Sequence, residues 1–338
     1  MTNSPKISVV MSAYNSEEYL RDTIESVLSQ TFKDFEFIIM NDASTDGSLD
    51  IIKNYDDKRI RLIDREKNIG LQKNLFDGVN LSKGEYIARM DADDICLPNR
   101  FEEQVKFLDA HPEIGLCGSW YRTFGAGKSV VDKVPTDPDN LRANMLFYTS
   151  IAHPTVMFRK SFFEKFHLNY DTDIRYCEDY ELWSRCLEHF PITNIPKVLL
   201  RYRIHPDSAF QAHKQETWDI AYLVRSKMLK KLDIEQTDKE KRLHNSLKPA
   251  QNEPAILFLK REEKWLTKIL EANRKTKIYK TDALDKVIYE RWRTLCGMNA
   301  SGGVPVFVLF FSSPLFRIGG VKKYMDTSKI FIKCLLKK

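Results

Sequence analysis

The chain has 338 residues, of which 43% are hydrophobic and 30% charged, with only 13 Gly and 13 Pro; such a composition builds a large core and excludes disordered, collagen-like and low-complexity chains. At about 150 residues per domain the length suggests two units. The formal charge is +6, but residues 302–338 carry seven bases (Arg317, Lys322, Lys323, Lys329, Lys333, Lys337, Lys338) against Asp326, leaving 46 bases and 46 acids elsewhere, so the basic character belongs to one segment and excludes a nucleic-acid-binding face.

Residues 1–6 run into an apolar strand pattern with no basic leader, long apolar region or cleavage site, which predicts a cytoplasmic chain. The six cysteines (96, 117, 177, 186, 296, 334) form no C-x-x-C pair and are expected as free thiols in a reducing compartment. Ile7-Ser8-Val9-Val10-Met11 is a short β-branched run ending in the polar loop Ser12 to Ser16. Leu20, Ile24, Val27 and Leu28 then recur at helical spacing, predicting a helix over 17–30. The strand predicted at 35–40 is nearly all apolar, as a strand covered on both faces must be. The alternation continues with a strand at 59–63, a helix around 71–79, a strand at 86–90, and a helix begun by Pro98 that carries Phe101, Val105 and Leu108. This is an α/β sandwich with a mainly parallel sheet. Ligands of such sheets gather at the carboxyl ends of the strands, where the loops 12–15, 41–47 and 91–94 emerge together.

Beyond Leu116 the pattern is mixed, with strands predicted at 155–158, 192–195 and 198–202 and a helix over 178–189. From about His213 it turns helical: Trp218, Tyr222, Met228 and Leu232 in one segment, Ile256, Trp265 and Ile269 in another, and Leu284, Val287 and Trp292 in a third. A boundary is placed near residue 210, giving a catalytic domain at 1–210, a helical extension at 211–301 and an apolar, basic tail at 302–338.

Tyr86-Ile87-Ala88-Arg89-Met90-Asp91-Ala92-Asp93-Asp94 is a strand that delivers three carboxylates into a loop. Crowded carboxylates repel and persist most easily around a cation. A calcium loop of EF-hand type places Asp91, Asp93 and Glu102 at its first, third and twelfth positions, but Ile95 replaces an oxygen ligand, Cys96 replaces the turn glycine and Pro98 opens a helix. An acidic turn capping the helix at Pro98 is the plainer alternative.

The ordered set Ser12-Ala13-Tyr14-Asn15, Asn41-Asp42-Ala43-Ser44-Thr45-Asp46-Gly47, Asn68-Ile69-Gly70-Leu71, residues 84–94, Glu178-Asp179-Tyr180-Glu181-Leu182-Trp183 and Arg201-Tyr202-Arg203-Ile204-His205 resembles the family 2 glycosyltransferases over about residues 5–210. The resemblance implies a GT-A fold and inverting transfer of a sugar from a nucleotide diphosphate donor, on resemblance a UDP-sugar, to an acceptor hydroxyl. Matched by position, it implies that Ala13, Tyr14, Asn15, Asp42, Asn68, Lys73, Asp91 and Ala92 bind the nucleotide sugar, with Asp42 on the base and Asp91 near the ribose or diphosphate. It implies Asp93 and His205 at a divalent cation, Mn²⁺ or Mg²⁺, which suits hard oxygen ligands and neutralises a leaving diphosphate. Asp179 is the candidate general base, worth about 10² to 10⁴ in rate; acids in the first turn of a helix are also favoured by its dipole.

His205 is alternatively an ordinary hydrogen-bonded residue. Arg201 and Arg203 either neutralise phosphate or form a solvated strand face. Gln72 and Lys73 depart from the small residue and Arg of many relatives, and Lys73 lacks a bidentate fork. His153-Pro154-Thr155 is either part of the acceptor side or a turn entering a strand. A sugar-1-phosphate nucleotidyltransferase would want a Gly-rich, basic first loop, and Ser12 to Asn15 has neither Gly nor base; a non-catalytic nucleotide- or glycan-binding module is the rival of another class. The apolar run 304–311 and Pro314-Leu315-Phe316 are too short and Pro-interrupted to span a bilayer. With Tyr324, Ile330, Phe331, Leu335 and Leu336 among lysines, the tail is read as a peripheral contact with an anionic membrane, against a helix packed on the catalytic domain. The expected acceptor is a glycan or lipid-linked glycan of surface polysaccharide synthesis.

Overall fold

A computed structural model describes residues 4–206, 213–320 and 322–336; the boundary expected near residue 210, and Lys337 and Lys338, lie outside them. The chain divides into two compact units, one holding the chain to Leu141 with Thr149–Ala221, the other Arg142–Tyr148 with the chain from Tyr222 onward.

The first unit is built on a nine-stranded sheet in the order β3-β2-β1-β4-β8-β6-β9-β5, with β7 on β6. Its strands are β1 Ile7–Ala13, β2 Phe35–Asn41, β3 Ile60–Asp64, β4 Tyr86–Asp91, β5 Ile95–Cys96, β6 Leu116–Gly125, β7 Val131–Asp132, β8 Met157–Arg159 and β9 Ile192–Ile204. The first four are mutually parallel, and β8 joins antiparallel to β4 and β6. Helices α1 Glu17–Leu28, α2 Ser48–Lys53 and α3 Leu71–Leu81 follow β1, β2 and β3, α4 Arg100–Ala110 follows β5, and α5 Pro138–Asn144, α6 Lys160–Lys165 and α7 Glu178–Cys186 come later. Ile7, Val9, Met11, Phe37, Ile39, Ala88 and Met90 are buried in one core with Leu20, Ile24, Phe101 and Leu108, and Val10, Ile38, Met40 and Ile87 on the opposite face are buried as well, which is why these strands read as continuous apolar runs. Gly84 is required where the chain enters β4, because a Cβ there would lie 2.4 Å from the Ser8 backbone nitrogen.

Arg100, fully buried, donates to the carbonyls of Arg89 (2.8 Å) and Val156 (3.2 Å) and to Gln104 Oε1 (3.0 Å). It ties the end of β4, just before the acidic loop, to the segment entering β8.

Several elements differ from expectation. His153–Thr155 is a 3₁₀ turn and the strand begins at Met157. The two strands expected over 192–202 are one, β9, carrying a bulge at Pro196 and Lys197 opposite the Ser119/Trp120 step of β6. Helix α7 ends at Cys186, three residues early. The sheet's far side, β5, β6 and β7, has no alternating signal of its own.

In the second unit the helices Ala255–Thr276 and Thr281–Met298 bury Trp265, Ile269, Leu284, Val287 and Trp292, as their spacing predicts. Helix Asp238–Asn245 starts with a Thr237/Glu240 capping box. Its His244 accepts from Trp265 Nε1 at Nδ1 (3.0 Å) and donates from Nε2 to the Leu146 carbonyl (2.7 Å). That pairing makes the ring neutral, and burial pushes its pKa down to about 3. It is also one reason why Arg142–Tyr148 joins this unit. All six cysteines are buried thiols. No helix among the described residues is long and apolar enough to cross a membrane.

Candidate active site

Because β3, β2, β1 and β4 are parallel, their carboxyl ends deliver four loops to one edge of the sheet. Register places Ala13 beside Asn41 and Ser12 beside Asp91. The first two loops lock together: Asn15 Oδ1 accepts from the Thr45 N–H (2.8 Å), and the Asn15 N–H donates to Ser44 Oγ (3.1 Å). Asn15 (φ 47°) and Ala43 (φ 57°) both adopt left-handed backbone. For Ala43 this costs about 1–2 kcal/mol, a strain typical of loops that serve a ligand. Ala13 is buried, and Tyr14 beside it is 50% exposed.

Asp42 is buried, and its two carboxylate oxygens accept the N–H groups of Ile69 (2.8 Å) and Gly70 (3.0 Å). Gly70 has φ +89°, which a glycine adopts without Cβ strain. Asp42 thus fixes the loop that opens α3, while Asn68 and Lys73 on that loop and helix are exposed.

The acidic loop follows β4. Asp91, Asp93 and Asp94 offer oxygens that all lie within 4.8 Å of one another. Asp91 pairs with the guanidinium of the buried Arg89, and Thr23 Oγ1 holds the loop through the carbonyls of Ala92 (3.0 Å) and Asp94 (2.9 Å). The short β5 pairs antiparallel with β9, setting Ile95 opposite Arg201, and so turns the end of β9 back over the carboxylates. There Asp94 Oδ1 accepts the Arg203 N–H (2.7 Å), Arg203 Nε donates to the Asp93 carbonyl (2.7 Å), and His205 Nε2 meets Asp93 Oδ2 at 2.9 Å. Arg203 also lies over Tyr19, 4.2 Å from the ring centre; it is a tie to the loop, whereas Arg201 is exposed. Burial raises the pKa of Asp93 and of Asp94, and each is raised further by the neighbouring carboxylates.

A second acidic group stands at the start of α7. Glu178 is buried, accepts from Gln72 Nε2 (3.4 Å), and faces His153 Nδ1 at 3.7 Å. His153 Nε2 meets the Tyr170 hydroxyl at 2.8 Å, and burial holds this imidazole neutral, well below its usual pKa. Asp179 Oδ1 accepts from the Tyr180 N–H (2.6 Å). Its carboxyl is pushed up to about 7 by burial, then by the Glu178 charge, with Arg89 opposing and Asp91 adding to the rise. Asp179 therefore feels the same Arg89 and Asp91 that border the acidic loop.

The acidic loop and the end of β9 bring Asp91, Asp93 and His205 together. Asp42 and Asn15 hold the neighbouring loops, and His153 belongs to the Glu178 network. The sequence reading assigned no role to Arg89 or Glu178; only their burial beside Asp91 and Asp179 marks them. The donor set fits a hard divalent cation, since three carboxylates converge and Asp94 Oδ2 is buried without a hydrogen-bond partner among the described residues.

A sequence model described as Glycosyl transferase family 2 matches residues 8–166. An uncharacterized glycosyltransferase of Haemophilus influenzae is 31% identical over 242 residues, 67% of this chain and 73% of the relative. The amylovoran biosynthesis glycosyltransferase AmsE of Erwinia amylovora is 32% identical over 63% of this chain and 80% of its own. The fold is similar to that of Staphylococcus aureus TarS 1-349 in complex with UDP-GlcNAc, at TM-score 0.57 and 17% identity, over 97% of this chain and 91% of that one. With its GT-A-like sheet, its clustered aspartates and relatives in polysaccharide biosynthesis, the chain belongs to glycosyltransferase family 2.

Proposed function

We propose that the chain is an inverting, metal-dependent transferase that moves a sugar from a nucleoside diphosphate donor, a UDP-sugar, to a hydroxyl of a glycan or lipid-linked glycan, in the cytoplasm at the inner face of the cell membrane. The chemistry is assigned to residues 1–210, with 211–301 as a helical extension. The observation that carries this reading is geometric: oxygens of Asp91, Asp93 and Asp94 converge within 4.8 Å of one another at the carboxyl end of β4, and Asp179, whose carboxyl burial pushes up to about 7, feels Asp91 and its partner Arg89.

In this reading Ala13, Tyr14, Asn15, Asp42, Asn68, Lys73, Asp91 and Ala92 border the nucleotide sugar. Tyr14 offers an exposed ring to the base, and Asp42 acts on the base through the 68–70 loop it fixes. Asp93 and His205 hold the cation, Mn²⁺ or Mg²⁺, which when bound supplies charge neutralisation for the departing diphosphate. Asp179, ionised above about pH 7, takes the proton of the acceptor hydroxyl as that oxygen forms the new bond to the anomeric carbon. Glu178 and Arg89 set the charge state of that base. The AmsE likeness supports an acceptor in polysaccharide synthesis, and the TarS complex with UDP-GlcNAc supports a UDP-sugar.

The test is nucleotide release from UDP-, GDP- and dTDP-sugars with Mn²⁺, Mg²⁺ or EDTA, on wild type and on Asp93→Ala and Asp179→Asn. Turnover of one UDP-sugar, abolished by EDTA and in Asp93→Ala, is expected. A donor that binds and turns over equally in EDTA would refute metal dependence.

A further inference from the structure

The end of the second unit has its apolar side turned outward. In the helix Val304–Ser312, Val306 and Phe310 are buried, while Val304, Val308 and Phe311 form an exposed stripe. In the helix Lys322–Leu336, Asp326, Ile330 and Cys334 recur every fourth residue and are buried; Phe331, Ile332 and Leu335 face outward. The two helices meet through the Phe307 and Phe331 rings, 4.9 Å apart. Six apolar side chains, each between 41 and 56% exposed, therefore lie on two adjoining helices, where a water-facing surface would be polar.

Apart from Asp326, the charged residues of these two helices are all lysines. Asp326, the only acid from residue 302 onward, points inward, accepting from the Tyr289 hydroxyl (3.1 Å) with Arg293 Nε at 3.6 Å. Lys329 and Lys333, one turn apart, are exposed beside the apolar row, and the helix has no acid besides the buried Asp326. A second copy of the same face would set lysine against lysine. An anionic lipid surface matches both features, accepting apolar side chains below its headgroups and ammonium groups among its phosphates. Neither helix is long enough to span.

We infer that the helices Val304–Ser312 and Lys322–Leu336 form a docking surface for an anionic membrane, with Val308, Phe311, Phe331 and Leu335 entering the headgroup layer and Lys329 and Lys333 contacting phosphates. This docking does not depend on which sugar is moved. The test is cosedimentation of the full chain with vesicles of phosphatidylcholine alone or mixed with phosphatidylglycerol, at low and high salt. Wild type is expected on the mixed vesicles at low salt and not on the neutral ones. Lys329→Glu with Lys333→Glu should weaken that partition by about 30-fold or more, at about 1 kcal/mol per lysine. Phe331→Ser with Leu335→Ser should weaken it by about 100-fold, given half-exposed side chains that become buried. All four positions are exposed, so an unchanged thermal transition checks folding. Failure of wild type to bind mixed vesicles, or binding that the lysine variant retains, overturns the inference. So does light scattering that shows a wild-type dimer converted to monomer by the serine variant without vesicle binding, which would assign the face to a second copy.

Discussion

The pKa of Asp179 makes the assignment of the base testable through pH alone. A carboxyl raised from the ordinary 3.8 to about 7 carries about 4 kcal/mol of bias toward its neutral form, at 1.36 kcal/mol per unit. Burial is the largest cause and the adjacent Glu178 charge the next. A general base works only when ionised, so kcat/KM for donor turnover, which reports the free enzyme, should rise about tenfold per pH unit up to about 7 and level off above it. Removing the Glu178 charge lowers the Asp179 pKa, so Glu178→Gln should carry the acid limb to lower pH. Asp179→Asn, which keeps the shape and cannot take a proton, should lose about 10² to 10⁴ in turnover while still binding the donor. The assay is nucleotide release across pH 5 to 9, with donor affinity measured by calorimetry on the same variants. An Asp179→Asn enzyme of undiminished turnover, or a Glu178→Gln profile with its limb unmoved or shifted upward, would refute the reasoning.

Asp42→Ala leaves the Ile69 and Gly70 N–H groups without their charged acceptor and should cost about 3 kcal/mol in urea unfolding; a loss below about 1 kcal/mol would show that the loop holds without it. Glu262 is fully buried in the helix Ala255–Thr276, both carboxyl oxygens lack a hydrogen-bond partner among the described residues, and burial pushes its pKa from 4.5 up to about 8. Because the folded pKa lies above the unfolded one, this carboxyl's stabilising share is complete below about pH 4.5 and is lost as pH rises through 8, about 3 kcal/mol of it by pH 7. Glu262→Met should therefore raise the melting temperature at pH 7 and flatten its fall between pH 6 and 8, and a thermal scan that finds the variant less stable at pH 8 would contradict this. Asp93→Ala should abolish Mn²⁺ binding measured by calorimetry without loss of fold, and retained binding would move the cation away from this loop.

The alternation of β-branched runs with 3.6-residue periods was enough to predict β1 to β4 and the helices α1, α3 and α4, because strands covered on both faces and helices packed on one leave strong local patterns; the six-residue α2 is too short to show a period and was not foreseen. The two long helices of the second unit, Ala255–Thr276 and Thr281–Met298, were legible for the same reason, through Trp265, Ile269, Leu284 and Trp292. The convergence of the polar loops at the strand ends followed from the parallel topology that those patterns imply, while the choice of Asn15, Asp42, Asp91 and Asp93 within them came from the resemblance to the family. In the far half of the sheet β8 and β9 were legible from their apolar runs, whereas β5, β6 and β7 were not: β5 is two residues long, β7 likewise, and β6 pairs along its whole length with β9, about 76 residues away in the chain. That pairing and the β5–β9 pair are what lay His205 on Asp93 and Arg203 on the acidic loop, contacts that residue spacing does not encode. Burial decided the rest. It turned Arg89 into the partner of Asp91, raised Asp179 toward neutrality, consumed Asp326 inside the second unit and left Phe331 and Leu335 outside, since desolvation depends on everything packed around a group and not on its neighbours in sequence.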